Sequence, residues 1–280
     1  MIDVDKDRAE GEAMDISHGA SFAGPMKIYA GGYEDVGDAS IIVITAGANQ
    51  KPNETRLDLV QKNAKIMTDV VTQIKEQEYK GILLIVSNPV DIMTQVAMEV
   101  SGFPEHRVFG SGTVLDSARL RYHLGQHLGV DSRSVHAFVI GEHGDSEIAA
   151  WSSANVSGVP LNSFCEMRGH FNHEGNTESI EEQVKNSAYE IIAKKDATYY
   201  GIAMVVKRIC QAIVRDEKSI FPISLRMHGE YALEDVVLSM PAIVGARGIE
   251  TTIPISLDEK EVSRLHESAE MLRETRKEIR

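Results

Sequence analysis

Cysteine is scarce: only Cys165 and Cys210 occur in 280 residues, and they form no Cys-x-x-Cys pair. A disulfide framework and a zinc or other metal site are therefore not expected, and both thiols read as inert core residues. No apolar run approaches the roughly 20 residues needed to cross a bilayer. The opening Met1-Ile2-Asp3-Val4-Asp5-Lys6 lacks the basic and apolar regions of a signal peptide. The expectation is a soluble, cytoplasmic protein with no membrane partner. Positive charge is also short, 29 Lys and Arg against 42 Asp and Glu, for a net charge of −13. Nucleic acid and anionic membranes are repelled by such a chain, so an anionic small substrate would have to be held by particular arginines in a local pocket.

What is present suits a sizeable core, with 42% hydrophobic and 25% charged residues in one large or two moderate domains. Ala39 to Thr45 is an apolar run ending in Ala46-Gly47-Ala48, the signature of a buried parallel strand. Leu57, Val60, Ala64, Met67, Val71 and Ile74 then recur at helical steps. A second strand is predicted at Ile82 to Val86, a helix through Ile92, Val96 and Val100 before Gly102, a short strand near Arg107 to Phe109 and a helix around Asp116 to Leu124. The second half is mixed, with strands at Val135 to Ile140 and Val236 to Ser239 and a helix carrying Val262, Leu265, Ala269 and Leu272. Strands alternating with helices give a parallel sheet covered on both faces, and ligands sit beyond its carboxyl strand ends, here the loops after Thr45 and Val86.

The candidate for acid and base work is His143, held in Gly141-Glu142-His143-Gly144-Asp145 between glycines that leave its imidazole accessible. Histidine titrates near neutrality, and a partner carboxylate decides whether it gives or takes a proton. A buried structural histidine fits the same residues. Arg119 follows Asp116 by three positions and so shares a helical face with it, which also describes an ordinary surface ion pair.

Taken in order, Ile2-Asp3-Val4, Thr45 to Pro52, Glu54-Thr55-Arg56, Ser87-Asn88-Pro89-Val90-Asp91, Leu115-Asp116-Ser117-Ala118-Arg119 and Gly141 to Asp145 resemble the bacterial L-lactate dehydrogenase branch of the lactate and malate dehydrogenase family, essentially end to end. The resemblance implies an α/β fold: a doubly wound parallel, Rossmann-type sheet in a dinucleotide-binding domain at 1–110, then a mixed α+β catalytic domain at 111–280. It implies NAD as cofactor and hydride transfer between pyruvate and L-lactate. His143 would be the acid and base, Asp116 its partner, and Arg119 the bidentate grip on the substrate carboxylate. Arg56 would polarise the reacting carbonyl where a closing loop meets its helix, a position that otherwise reads as a solvated first-turn arginine. Asn88 would hydrogen-bond the carbonyl or position the nicotinamide side, or serve simply as a turn residue before Pro89. Gln50, neutral where an arginine would pair a second carboxylate, favours pyruvate over oxaloacetate. Thr198 would close the pocket.

Asp3, Tyr33, Gly47, Ala48, Val86 and Asn88 would line the cofactor groove. Arg121 and His136 match positions that in allosteric members bind fructose 1,6-bisphosphate across a subunit interface of a homotetramer; two surface basic residues are the plainer account. Malate or a branched-chain 2-hydroxy acid is the alternative substrate, with Gln50 weighing against malate.

The sequence departs from the family pattern at its start. Ile2-Asp3-Val4-Asp5 reads as a strand end, and in the family a strand, a glycine-rich loop and a helix precede it, the glycines lying roughly 20 residues before the ribose-binding acid. The sheet is thus expected to be N-terminally truncated, with apolar surface and backbone groups exposed and the pyrophosphate's helix N-terminus missing. An internal methionine of a longer enzyme or a deliberate fragment accounts for this start best. The third account is a natural inactive remnant that acts only as a partner-binding or structural protein.

Overall fold

The computed structural model describes residues 1–48 and 55–279, with the Arg56 side chain also outside the description. The elements run α1 (Lys6–Ala23), β1 (Ile41–Ile44), α2 (Arg56–Glu76), β2 (Ile82–Ile85), α3 (Val90–Ser101), β3 (Val108–Gly110) and α4 (Val114–Leu128). The chain continues through β4 (Val135–His136), β5 (Val139–Ile140), β6 (Ile148–Ala149), β7 (Asn155–Val156), β8 (Val159–Pro160), α5 (Leu161–Met167), α6 (His173–Lys195) and α7 (Tyr200–Val214). It ends with β9 (Ser219–His228), β10 (Glu234–Gly245), β11 (Gly248–Thr252) and α8 (Glu259–Glu278).

The main sheet has the order β1-β2-β3-β9-β10-β11. Its first three strands are parallel, with Val43 opposite Leu84 and Leu84 opposite Phe109. Residues 82–85 are all buried, as expected of a strand covered on both faces. Helix α3 carries the same burden: Ile92, Met93, Val96 and Ala97 are buried, and Gly102 stops it in the left-handed conformation at φ 62°. β3 meets β9 antiparallel at Gly110 opposite Ser224, which joins the parallel half to the long β9–β10 pair. Gly112 makes this junction possible. Its φ is +51°, and a Cβ there would lie 2.6 Å from the Ser224 amide nitrogen.

Two expectations are corrected. Ile2-Asp3-Val4 is not a strand: Asp5 caps α1 by accepting a hydrogen bond from the Arg8 amide, and Val4 is fully exposed. The segment's only described tie to extended backbone is at Met1, whose amine donates to the Tyr29 carbonyl and whose carbonyl accepts from the Gly31 amide. Val135 to Ile140 is not one strand but two. Val135–His136 pairs with β7 and Val139–Ile140 with β6, so the chain changes sheets between them. The core is correspondingly double, one cluster around the main sheet and a smaller one around Leu120, Leu124, Val139 and Val156. Among the described residues, no helix is long and apolar enough to cross a membrane.

Candidate active site

The loop after β5 is pinned to three neighbours before it reaches the imidazole. Gly141 exchanges two backbone hydrogen bonds with Ser239 of β10, at 2.9 and 2.8 Å. The Glu142 amide donates to Ser268 Oγ of α8 at 2.8 Å, and the His143 amide donates to Asp91 Oδ2 of α3 at 2.7 Å. Gly141 stands at φ +85°, with Ser268 Oγ only 2.9 Å from where a Cβ would be. Glycine is therefore required at that bend for conformation and for space.

The ring is fixed from α4. His143 Nδ1 lies 2.6 Å from Asp116 Oδ2, and Arg119 Nη1 donates to Asp116 Oδ1 at 2.8 Å. The aspartate side chain is 3% exposed and the histidine 27%, so the carboxylate is sealed while the imidazole keeps an open side. Burial disfavours the Asp116 charge, but the adjoining His143 and Arg119 cations outweigh it and hold the carboxyl below the usual range. Burial likewise pulls His143 down. Asp116, through charge and hydrogen bond, then Asp91 and Glu147, overcome it and raise the imidazole to about 9. With Nδ1 committed to Asp116, Nε2 is the nitrogen available to exchange a proton with a ligand.

Two acids that sequence reasoning passed over complete the cluster. Glu147 is buried, and its carboxylate, the Asp116 carboxylate and the His143 ring present oxygen and nitrogen atoms all within 4.8 Å of one another. Burial first and the Asp116 charge second push Glu147 up to about 8. Asp91 is buried in the first turn of α3. Asp91 closes the Ser87 to Asp91 motif and Glu147 follows the Gly141 to Asp145 motif, but neither pattern assigns the acid a role; burial distinguishes them from solvated acids.

The expected strand-end loops are locked together. Ser87 Oγ donates to the Ala46 carbonyl at 2.6 Å, and the buried Asn63 of α2 accepts from the Ala48 amide at 2.8 Å while donating to the Asn88 carbonyl at 3.0 Å. Gly47 and Ala48 thus lie beside Val86 and the exposed Asn88. Asp3 is exposed and accepts from the Asp5 amide at 2.9 Å, while Tyr33 packs on the core as a half-buried residue.

The remaining predicted residues are more scattered. Gln50 lies outside the described residues, and Arg56 is placed only as the first residue of α2. Thr198 is half-buried between α6 and α7. Arg121 donates from Nε to the Ser117 carbonyl at 3.1 Å, and His136 is exposed on β4 opposite Asn155.

Comparison with known proteins agrees with this architecture. The model of the lactate/malate dehydrogenase NAD binding domain matches residues 1–110, and that of the family's alpha/beta C-terminal domain matches residues 113–280. The chain is 47% identical over 274 residues to the L-lactate dehydrogenase of Acetivibrio thermocellus, covering 98% of this chain and 86% of the relative. It is 48% identical over 279 residues to that of Thermoanaerobacter pseudethanolicus, covering 100% and 90%. Its fold superposes with a TM-score of 0.96 on the minor L-lactate dehydrogenase of Enterococcus mundtii in its ligand-bound form, at 41% identity, covering 100% of this chain and 89% of that one.

Proposed function

Since the chain belongs to the lactate/malate dehydrogenase family, we propose that His143, Asp116 and Arg119 carry out its reaction, the NAD-dependent interconversion of L-lactate and pyruvate. The observation that supports these roles is that the buried carboxylate of Asp116 holds the imidazole with one oxygen and the guanidinium with the other. One acid thereby orients both the proton donor and the cation.

The cofactor supplies or accepts the hydride when bound. The residues present fit it on chemical grounds: exposed Asp3 offers a carboxylate for a ribose diol, the loops at Gly47–Ala48 and Val86–Asn88 are held side by side through Asn63, and the exposed Asn88 carries a side-chain amide. For pyruvate reduction, Arg119 turns its remaining N–H donors to the substrate carboxylate. Protonated His143 donates from Nε2 to the carbonyl oxygen and releases that proton as the oxygen becomes a hydroxyl. Asp116 keeps the ring oriented and stabilises its charged form. Arg56 and Asn88 polarise the same carbonyl, Gln50 favours pyruvate's methyl group, and Thr198 closes the pocket. Lactate oxidation runs the proton the other way, onto neutral Nε2. The division of labour is 1–110 for the dinucleotide and 111–280 for the substrate.

Assembly as a cytoplasmic homotetramer, serving the fermentation of pyruvate to lactate in glycolysis, completes the reading. Exposed apolar residues on α6 and α7, among them Tyr189, Ile192, Tyr200 and Met204, support burial against further subunits. Arg121 and His136 would receive fructose 1,6-bisphosphate at such an interface. Activity titrated with that bisphosphate should show a lowered apparent KM for pyruvate, and an unchanged KM removes the allosteric role. The central test is NADH oxidation with pyruvate beside oxaloacetate and a His143→Asn control. Turnover of pyruvate that the control abolishes supports the assignment; equal turnover by the control overturns it.

A further inference from the structure

Asp116 is not the only acid that holds His143. Asp91 lies three residues beyond Asn88, in the first turn of α3, and only 2% of its surface is exposed. Its Oδ2 accepts the His143 amide at 2.7 Å, while Oδ1 accepts Ser224 Oγ of β9 at 2.5 Å and lies 3.4 Å from Ser239 Oγ of β10. Ser224 and Ser239 are themselves fully buried. Hydroxyls placed inside two long strands, where apolar residues would pack better, here serve one carboxylate.

Among the described residues no Lys or Arg forms an ion pair with Asp91, and a buried carboxylate without one is costly to retain. A neutral amide could accept the same backbone hydrogen bond, so the need for an acid calls for a separate account. Among the described residues the charged groups that act on Asp91 are His143 and Glu142, both on the catalytic loop. Of these only His143 can gain positive charge, and Asp91 favours that form.

We propose that Asp91 is a second positioning residue of the reaction: from the helix that follows the cofactor loop, it fixes the main chain of His143 and faces the imidazolium with a negative charge. Asp116 sets the ring, and Asp91 sets the peptide that carries the ring. The arrangement also ties the loop at Ser87–Asn88 to the acid-base group through three residues of chain. This assignment rests on the lactate dehydrogenase reading for its catalytic consequence but not for its electrostatic one.

Two variants of the full chain separate the roles. Asp91→Asn keeps an acceptor for the His143 amide and removes the charge, whereas Asp91→Ala removes both. In NMR titrations of the His143 ring, both variants should lower its midpoint by about one unit, a tenfold loss of proton affinity. For pyruvate reduction, Asp91→Ala should reduce kcat by at least tenfold, with KM changed less. Asp91→Asn should recover most of that kcat but none of the midpoint shift. If Asp91→Ala does not fold, the Asp91→Asn titration alone decides. A midpoint in Asp91→Asn equal to the wild type overturns the proposal. Because the titration needs no turnover, failure of the wild type to reduce pyruvate would instead overturn the functional reading.

Discussion

Two aspartate and arginine pairs in this chain have nearly the same contact distance and opposite meanings. Asp116 and Arg119 are 2.8 Å apart, and Asp131 and Arg133 are 2.7 Å apart. The first pair is 3% and 14% exposed; the second is 51% and 89% exposed. In water the second pair's charges are screened by solvent and its contribution is small. Behind the main sheet, the first pair's charges remain strong enough to set the protonation of a third group, His143. Contact distance therefore does not distinguish an active site from a decorated surface. Burial and a further partner do.

The comparison is broken most severely at Asp116. Asp116→Asn should reduce kcat/KM for pyruvate by about 10²- to 10⁴-fold, because the imidazolium loses its counter-charge and its preferred tautomer; steady-state NADH oxidation reads this directly. Arg119→Lys keeps the positive charge but loses the planar fork, and should raise KM for pyruvate about a hundredfold with a smaller change in kcat.

A pH series sharpens the contrast. The folded His143 sits at about 9 against an ordinary value of 6.5. Pyruvate reduction should stay level at neutral pH and fall as pH rises through about 9, while lactate oxidation should rise over the same range. Since the proton is held more tightly in the folded state, the matching stability contribution is fully present below 6.5 and is lost as pH rises through about 9. Melting temperature followed from pH 6 to 10, with His143→Asn as reference, measures it. The smallest effect belongs to the exposed pair: Asp131→Ala should leave kcat/KM at the wild-type value, and a measurable loss would mean that exposure is a poor guide here.

Elements with a clean periodic stripe were readable in the sequence. Helices α2, α3 and α8 show apolar residues at three- and four-residue steps, and Gly102 marks where α3 stops. Other elements hid for identifiable reasons. α6 buries little beyond Ile180 and Val184, and α1 little beyond Ala9 and Ala13, so neither displays a stripe. β9 contains Pro222 and the buried Ser224, which interrupt the apolar alternation expected of an interior strand.

The site was legible in its motifs and not in its contacts. Asp116 and His143 lie 27 residues apart, and no spacing rule joins them; only the order of motifs in the resembling family did. Asp91 stood at the end of one of those motifs and Glu147 just beyond another, with no role assigned to either. Their importance depends on what the fold packs around them, and a sequence does not display that.

Asn63 has a mechanical meaning. One amide side chain, rooted in α2, holds the turn after β1 through its oxygen and the turn after β2 through its nitrogen. The two turns share one anchor. Replacing that one side chain would take a hydrogen bond from each turn at once.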